Sequence, residues 1–227
     1  MLIKTINGEA LELMASSSYH AIQSPTHVQE QSAQTGENFN HLMQQMSMGL
    51  PIEPLLQSYP KMQEWVETLR PITDVPGQKS WNVVIQQLIN GYLASCKYDL
   101  LVQTDEQVTA IDWSIKRNIP TPTTLENSWQ TKLKLFLLAS VEEIPPENIS
   151  IIYCFLNSSN GAVFYRFDYT SSKHEDCLKE LDKLLADPEN VESDKLVVDM
   201  HAYNLKRLLN NEISAKEYLD SIPEVEI

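Results

Sequence analysis

The sequence predicts an α+β fold, with a mixed sheet of about five strands flanked by helices. Three observations predict it. Apolar residues recur at helical spacing up to Leu69. From Trp81 to Lys116 the chain is instead rich in β-branched and aromatic residues, broken by an Asn-Gly pair. After Ile119 the pattern alternates helix, strand, strand, helix. The chain has 227 residues, enough to bury a core, and 42% of them are hydrophobic against 21% charged. That balance excludes a disordered chain, a collagen and a coiled-coil rod.

The elements follow in order. Residues 1–34 read as a short ordered start and a polar loop. A helix from about Glu37 carries Phe39, Leu42, Met43 and Met46 on one stripe and stops at Gly49-Leu50-Pro51. Ile52 to Leu69 gives one or two further helices. Trp81–Ile89, Tyr92–Gln103 and Gln107–Lys116 read as a three-stranded antiparallel meander, its first turn made by Asn90-Gly91. Prolines at 120 and 122 break the chain. Asn127 or Ser128 then caps a helix reaching about Val141. Strands at Ser150–Leu156 and Ala162–Tyr169 flank Asn160-Gly161, and Ser171 or Ser172 caps an acidic helix to Ala186. Helices are expected at Val197–Leu209 and from Ser214 in the tail.

Charge and cysteines narrow the function classes. The net charge of −14 opposes a nucleic-acid ligand, because phosphate binding needs Lys and Arg to displace counterions. The acid is concentrated toward the C-terminus, however, and residues 79–140 hold six bases against five acids. The three cysteines, Cys96, Cys154 and Cys177, have no CxxC spacing, so no zinc site or disulfide framework is expected. No apolar run is long enough to span a membrane and no secretory leader is evident, which predicts a cytoplasmic protein.

Three residues stand out for chemistry. Asp99 interrupts the apolar strand Tyr98–Val102, Asp112 ends the run Val108–Ile111, and Gln130 lies early in the next helix. A carboxylate in a buried strand needs a base or a metal. Two neighbouring strands with one Asp each are able to hold one divalent cation. The alternative is two acids at a strand edge and a strand end, facing water. Asp112, Ser114 and Lys116 share a strand face.

Tyr98-Asp99-Leu100-Leu101, Ala110-Ile111-Asp112-Trp113 and Trp129-Gln130-Thr131-Lys132-Leu133 together resemble the signature of the PD-(D/E)XK nuclease superfamily, in its RecB-like bacterial branch. Gly36 to Gln45 is similar to that branch's GxxFH segment, and Ser150–Tyr153 to the strand after its glutamine helix. The resemblance implies a nuclease-like domain over residues 36–187, between an N-terminal segment (1–35) and a C-terminal helical tail (188–227). It implies Mg²⁺ or Mn²⁺ held by Asp99 and Asp112 with His41 on the metal side, Gln130 nearby, and hydrolysis of a phosphodiester. No iron–sulfur cluster is expected.

The pattern departs from the family in several places: the upstream strand Lys79–Val83 lacks the branch's usual glutamate, and no CPRKF-like segment lies near Tyr19-His20. The lysine two residues after the second acid is Ser114 here, and a hydroxyl carries no charge. Lys116, one step further along the face, is the candidate replacement. Where the family has QxxxY this chain has Gln130 and Lys134, and Lys134 is a candidate phosphate contact. The reading that follows is a nuclease-fold protein with an eroded site, binding DNA or a protein partner with weak or no cleavage. The alternatives are an active Mg²⁺-dependent DNA nuclease using Lys116, and a non-enzymatic interaction scaffold.

Overall fold

A computed structural model describes residues 4–16, 27–141, 144–158 and 161–186, with the side chains of 27–34 left undescribed. The tail helices expected beyond residue 187 lie outside the described residues. Within them the α+β architecture is as expected, and the sheet holds six strands rather than five. The extra strand is β1 (Lys4–Ile6), followed by helix α1 (Gly8–Ser16). Helix α2 (His27–Ser47) begins ten residues before the expected Glu37, and α3 (Glu53–Ser58) and α4 (Pro60–Thr73) follow it. The polar stretch before Glu37 carries no apolar stripe, so spacing alone left it unassigned.

Strand β2 (Gln78–Ile89) turns through Asn90-Gly91 into β3 (Tyr92–Gln103), with Ile89 paired to Tyr92. Asn90 (φ 50°) and Gly91 (φ 83°) are both left-handed, as a two-residue hairpin turn requires. β4 (Val108–Ser114) returns antiparallel to β3. It ends two residues short of the expected Lys116, because the Ser114 Oγ accepts from the Lys116 N–H and closes a turn. The next helix is divided. Helix α5 (Pro122–Asn127) ends at Ser128, whose extended backbone starts α6 (Trp129–Val141) and whose Oγ accepts from the Thr131 N–H. β5 (Ile149–Phe155) lies parallel to β4, β6 (Val163–Asp168) antiparallel to β5. Helix α7 (Ser171–Leu185) is capped by Thr170, one residue before the expected serines, through the Lys173 N–H.

The two sheet faces bury different helices. One face packs Ile85, Cys96, Tyr98, Ala110, Ile151 and Tyr153 against α1, α6 and α7. The other packs Leu100, Val102, Ile111 and Cys154 against α2 and α4 through Phe39, Met43, Trp65 and Leu69. Burial of this apolar surface, at roughly 25 cal/mol per Å², is what assembles the layers. No helix among the described residues is long and apolar enough to cross a membrane.

The sheet is split along β3. One edge of β3 pairs with β2 from Tyr92 to Gln103, interrupted only at Asp99 opposite Asn82. The other edge pairs with β1 over Tyr92–Ala94 and with β4 only over Leu100–Gln103. Between these two partners, residues 95–99 of β3 face a gap in the ladder, and β4 continues alongside β5 instead. A split of this kind leaves backbone groups to be satisfied by side chains.

The N-terminal segment docks over the start of α6. A Cβ on Gly8 would stand 2.5 Å from the Gln130 Cα, and the Glu12 carboxylate accepts from the Trp129 N–H at 2.6 Å. An acid there also suits the positive end of the helix dipole. Gly8→Ala forces two backbones apart and is expected to destabilise the fold by about 1–3 kcal/mol. Urea unfolding of the variant checks this, and an unchanged midpoint refutes the close contact.

Candidate functional site

Asp99 and Asp112 sit at the split. The Asp99 N–H donates to Asp112 Oδ1 at 3.2 Å, and the Trp113 N–H donates to Asp99 Oδ2 at 3.0 Å. Each carboxylate thus satisfies a backbone donor on the opposite strand, just past Leu100–Ile111, the last ladder pair of β3 and β4. Both acids line one cavity of ≈ 260 Å³. The expectation that the two face one another from adjacent antiparallel strands therefore corresponds to the observed placement.

Lys134 enters this cavity from α6. Its ammonium pairs with Asp112 Oδ2, and both side chains are about nine-tenths buried. The Tyr98 ring lies beneath the ammonium, 5.1 Å from ring centroid to Nζ, and the Tyr98 hydroxyl donates to the Lys134 carbonyl at 2.7 Å. Ring, carboxylate and backbone hold the lysine in one pose. Lys134 is therefore not a surface lysine but half of a buried ion pair that faces the cavity. One signal for it was present in the sequence. Lys134 is the lone charge within Leu133–Leu138, and a lysine in a buried run needs an acidic partner.

The other candidates divide. Lys116, Gln130 and Ser114 all line the cavity, with Lys116 and Gln130 exposed at its mouth. Lys97 of β3 and the Tyr153 ring of β5 line it too, and sequence reasoning overlooked both. His41 does not join them. The Trp113 indole donates to Asn40 Oδ1 at 2.6 Å, so α2 turns Phe39 and Asn40 toward β4 and leaves His41 exposed. The cavity lining contains no histidine, and the expected metal-side role of His41 has no geometric support.

The electrostatics are uneven. Asp112 has a base, whereas no ion pair among the described residues involves Asp99. Burial, then the Asp112 charge, pushes the Asp99 carboxyl up to about 6, against the pull of the Trp113 N–H, Lys134 and Lys97. Burial likewise pushes the Cys96 thiol up to about 12 and raises Cys154, so neither offers a thiolate. Among the described residues no cluster of three or more His, Cys, Asp or Glu forms a ligand cage. A hard cation taken by Asp99 and Asp112 would complete its shell with water and ligand oxygens, as Mg²⁺ commonly does. An under-compensated carboxylate beside a second one fits such a cation.

No family model matches the sequence, and no curated protein matches it. Solved structures similar to the chain include a Eubacterium rectale protein provisionally described as an exonuclease (8% identity, TM-score 0.45, 99% of this chain and 91% of that one). Another is an alkaline exonuclease from Laribacter hongkongensis (11% identity, TM-score 0.39, 92% and 95% covered).

The raised carboxyl of Asp99 makes stability depend on pH. The unfolded Asp ionises near pH 4, while the folded one holds its proton to about 6. The native state therefore binds more protons in that window, and Asp99 costs stability as pH rises from about 4 to 6. Asp99→Asn keeps an oxygen for the Trp113 N–H and removes this cost. It is expected to stabilise the protein by on the order of 2 kcal/mol at pH 7.5 and by nothing at pH 3.5. Denaturant midpoints at the two pH values test this; equal effects at both would contradict it. Lys134→Met, by contrast, strands the Asp112 charge and is expected to destabilise by about 3–5 kcal/mol.

Proposed function

We propose that the chain is a divalent-metal-dependent phosphodiester hydrolase of the PD-(D/E)XK nuclease type, its lysine supplied by helix α6. The observation that carries this is the Lys134 ammonium on Asp112 in the cavity that Asp99 also lines. Of the departures from the family pattern, the missing charge at Ser114 bears most directly on catalysis. A buried lysine reaching the second acid from the neighbouring helix offers that charge from elsewhere. The order of elements, with a β2–β3–β4 meander, the α6 helix and β5 parallel to β4, also suits the resemblance.

The residues have distinct tasks in this reading. Asp99 and Asp112 would hold the cation. A bound Mg²⁺ or Mn²⁺ would supply an acidified water and neutralise charge on the phosphate. Lys134, desolvated and fixed by Tyr98, donates to a phosphate oxygen where negative charge develops, and costs little reorganisation because it is already in place. Gln130 presents its amide at the mouth. Lys97 and Lys116 make the cavity lining three bases to two acids, so an anionic ligand is drawn into a chain that is −14 overall. The ligand in this reading is DNA.

One observation favours a non-cleaving protein. The ammonium already occupies Asp112 Oδ2, leaving the acid pair with a net charge of −1 for a cation. The two readings separate on metal and lysine together. The hydrolase reading expects Mn²⁺-dependent cleavage of a labelled oligonucleotide. Asp112→Asn and Lys134→Met should each lower its rate by on the order of 100- to 1000-fold, and Lys116→Ala by less than about tenfold. A wild-type protein that takes up Mn²⁺ without cleaving single- or double-stranded DNA would establish the eroded site instead. Rate loss in Lys116→Ala equal to that in Lys134→Met would return the role to the strand-end lysine.

A further inference from the structure

Tyr98 and Asp99 are consecutive in β3, and both serve the same site. Neighbouring side chains on a strand point to opposite faces. Here the Tyr98 ring lies under Lys134, and Asp99 lines the cavity that Lys134 enters. Core membership shows how. On β3, Ala94, Cys96 and Tyr98 pack toward α6, but Leu100 and Val102 pack toward α2 and α4, and Leu101 takes over the α6 face. On β2, Val83, Ile85 and Ile89 pack toward α6 while Trp81 packs toward α2 and α4. Both strands exchange faces between the pairs Trp81–Leu100 and Val83–Tyr98. The register on either side is continuous, so no residue is inserted. The position between them is Asn82 opposite Asp99, and Asn82 has φ 52°.

We infer that Asn82 is a positioning residue for the site: its left-handed backbone inverts the pleat of the β2–β3 hairpin and turns Asp99 to the same side as Tyr98 and Lys134. A β-region backbone at Asn82 would keep the alternation regular. Asp99 would then leave the α6 face, where Asp112, Trp113 N–H and the cavity meet it. Asparagine tolerates the left-handed region, alanine less and a β-branched residue least. Apart from Asn90 in the hairpin turn, no other non-glycine residue among those described has positive φ. The inference deepens the proposed metal site, and rests on that reading only where metal is measured.

The first test needs no metal. The Trp113 amide donates to Asp99 Oδ2, so its hydrogen exchange reports where Asp99 points. In Asn82→Val that amide is expected to exchange at least tenfold faster than in wild type, with the β4–β5 ladder amides unchanged. In Asn82→Gly, which adopts positive φ freely, it stays within about threefold. Asn82→Ala gives the intermediate case and replaces Asn82→Val should the latter not fold. Wild-type protection in both Asn82→Val and Asn82→Ala, or equal loss in Asn82→Gly, overturns the inference. The second test is the rise in melting temperature with Mn²⁺. Retention in Asn82→Gly and loss in Asn82→Val, or in Asn82→Ala, supports the positioning role. No rise in wild type, with the exchange pattern as expected, defeats the metal reading and leaves the role of Asn82 standing.

Discussion

The ion pair between Asp112 and Lys134 joins the sheet to the helix layer, and the site is organised around it. Both partners are buried, and each compensates the charge of the other. Removing water from two charges is costly, and the cost is offset here by further contacts. Asp112 also accepts the Asp99 N–H, and the lysine rests on an aromatic face that attracts cations. Such a pair adds little net stability compared with apolar packing. Its effect is to fix geometry, setting α6 in one register over β3 and β4.

The gap in the sheet makes room for this pair. β3 gives one edge to β2, and shares its other edge between β1 and β4. Where neither pairs, the carboxylates of Asp99 and Asp112 take the place of carbonyls as acceptors for strand N–H groups. The same oxygens that hold the strands at the right spacing therefore line the cavity. Structural and chemical roles coincide in two residues. The left-handed Asn82 sits on the β2 side of the same break, and Gly8 and Glu12 steady the start of α6 above it.

Overall charge and local charge point in different directions. The chain is strongly acidic, yet the cavity gathers Lys97, Lys116 and Lys134 around two acids, one of which holds its proton to about pH 6. Long-range repulsion of a polyanion falls off within a Debye length of about 8–10 Å at physiological salt. The lining residues act within that distance. Net charge is thus a poor guide to the ligand of a concave site in a protein of this size.

Several features were legible in the sequence because they depend on neighbours along the chain. The change from helical to strand spacing near Trp81, the Asn90-Gly91 turn and the serine cap before α6 are local signals, and the structure contains each. Asp99, Asp112 and Gln130 were recognisable as polar interruptions at set distances. The short parallel strand β1 was not, because three residues paired to a distant strand leave no periodicity. The placement of Lys134, Tyr98 and His41 was visible only in the tertiary structure. Whether Lys134 reaches Asp112 depends on how α6 crosses the sheet. Whether His41 or Asn40 faces β4 depends on the rotation of α2. That Tyr98 and Asp99 share a side depends on a pleat inversion opposite Asn82, where the strand's two-residue period fails. Sequence determines local periodicity and the chemical types available. Which side chains meet is decided by packing between segments far apart in the chain, and by the one backbone position that breaks the period.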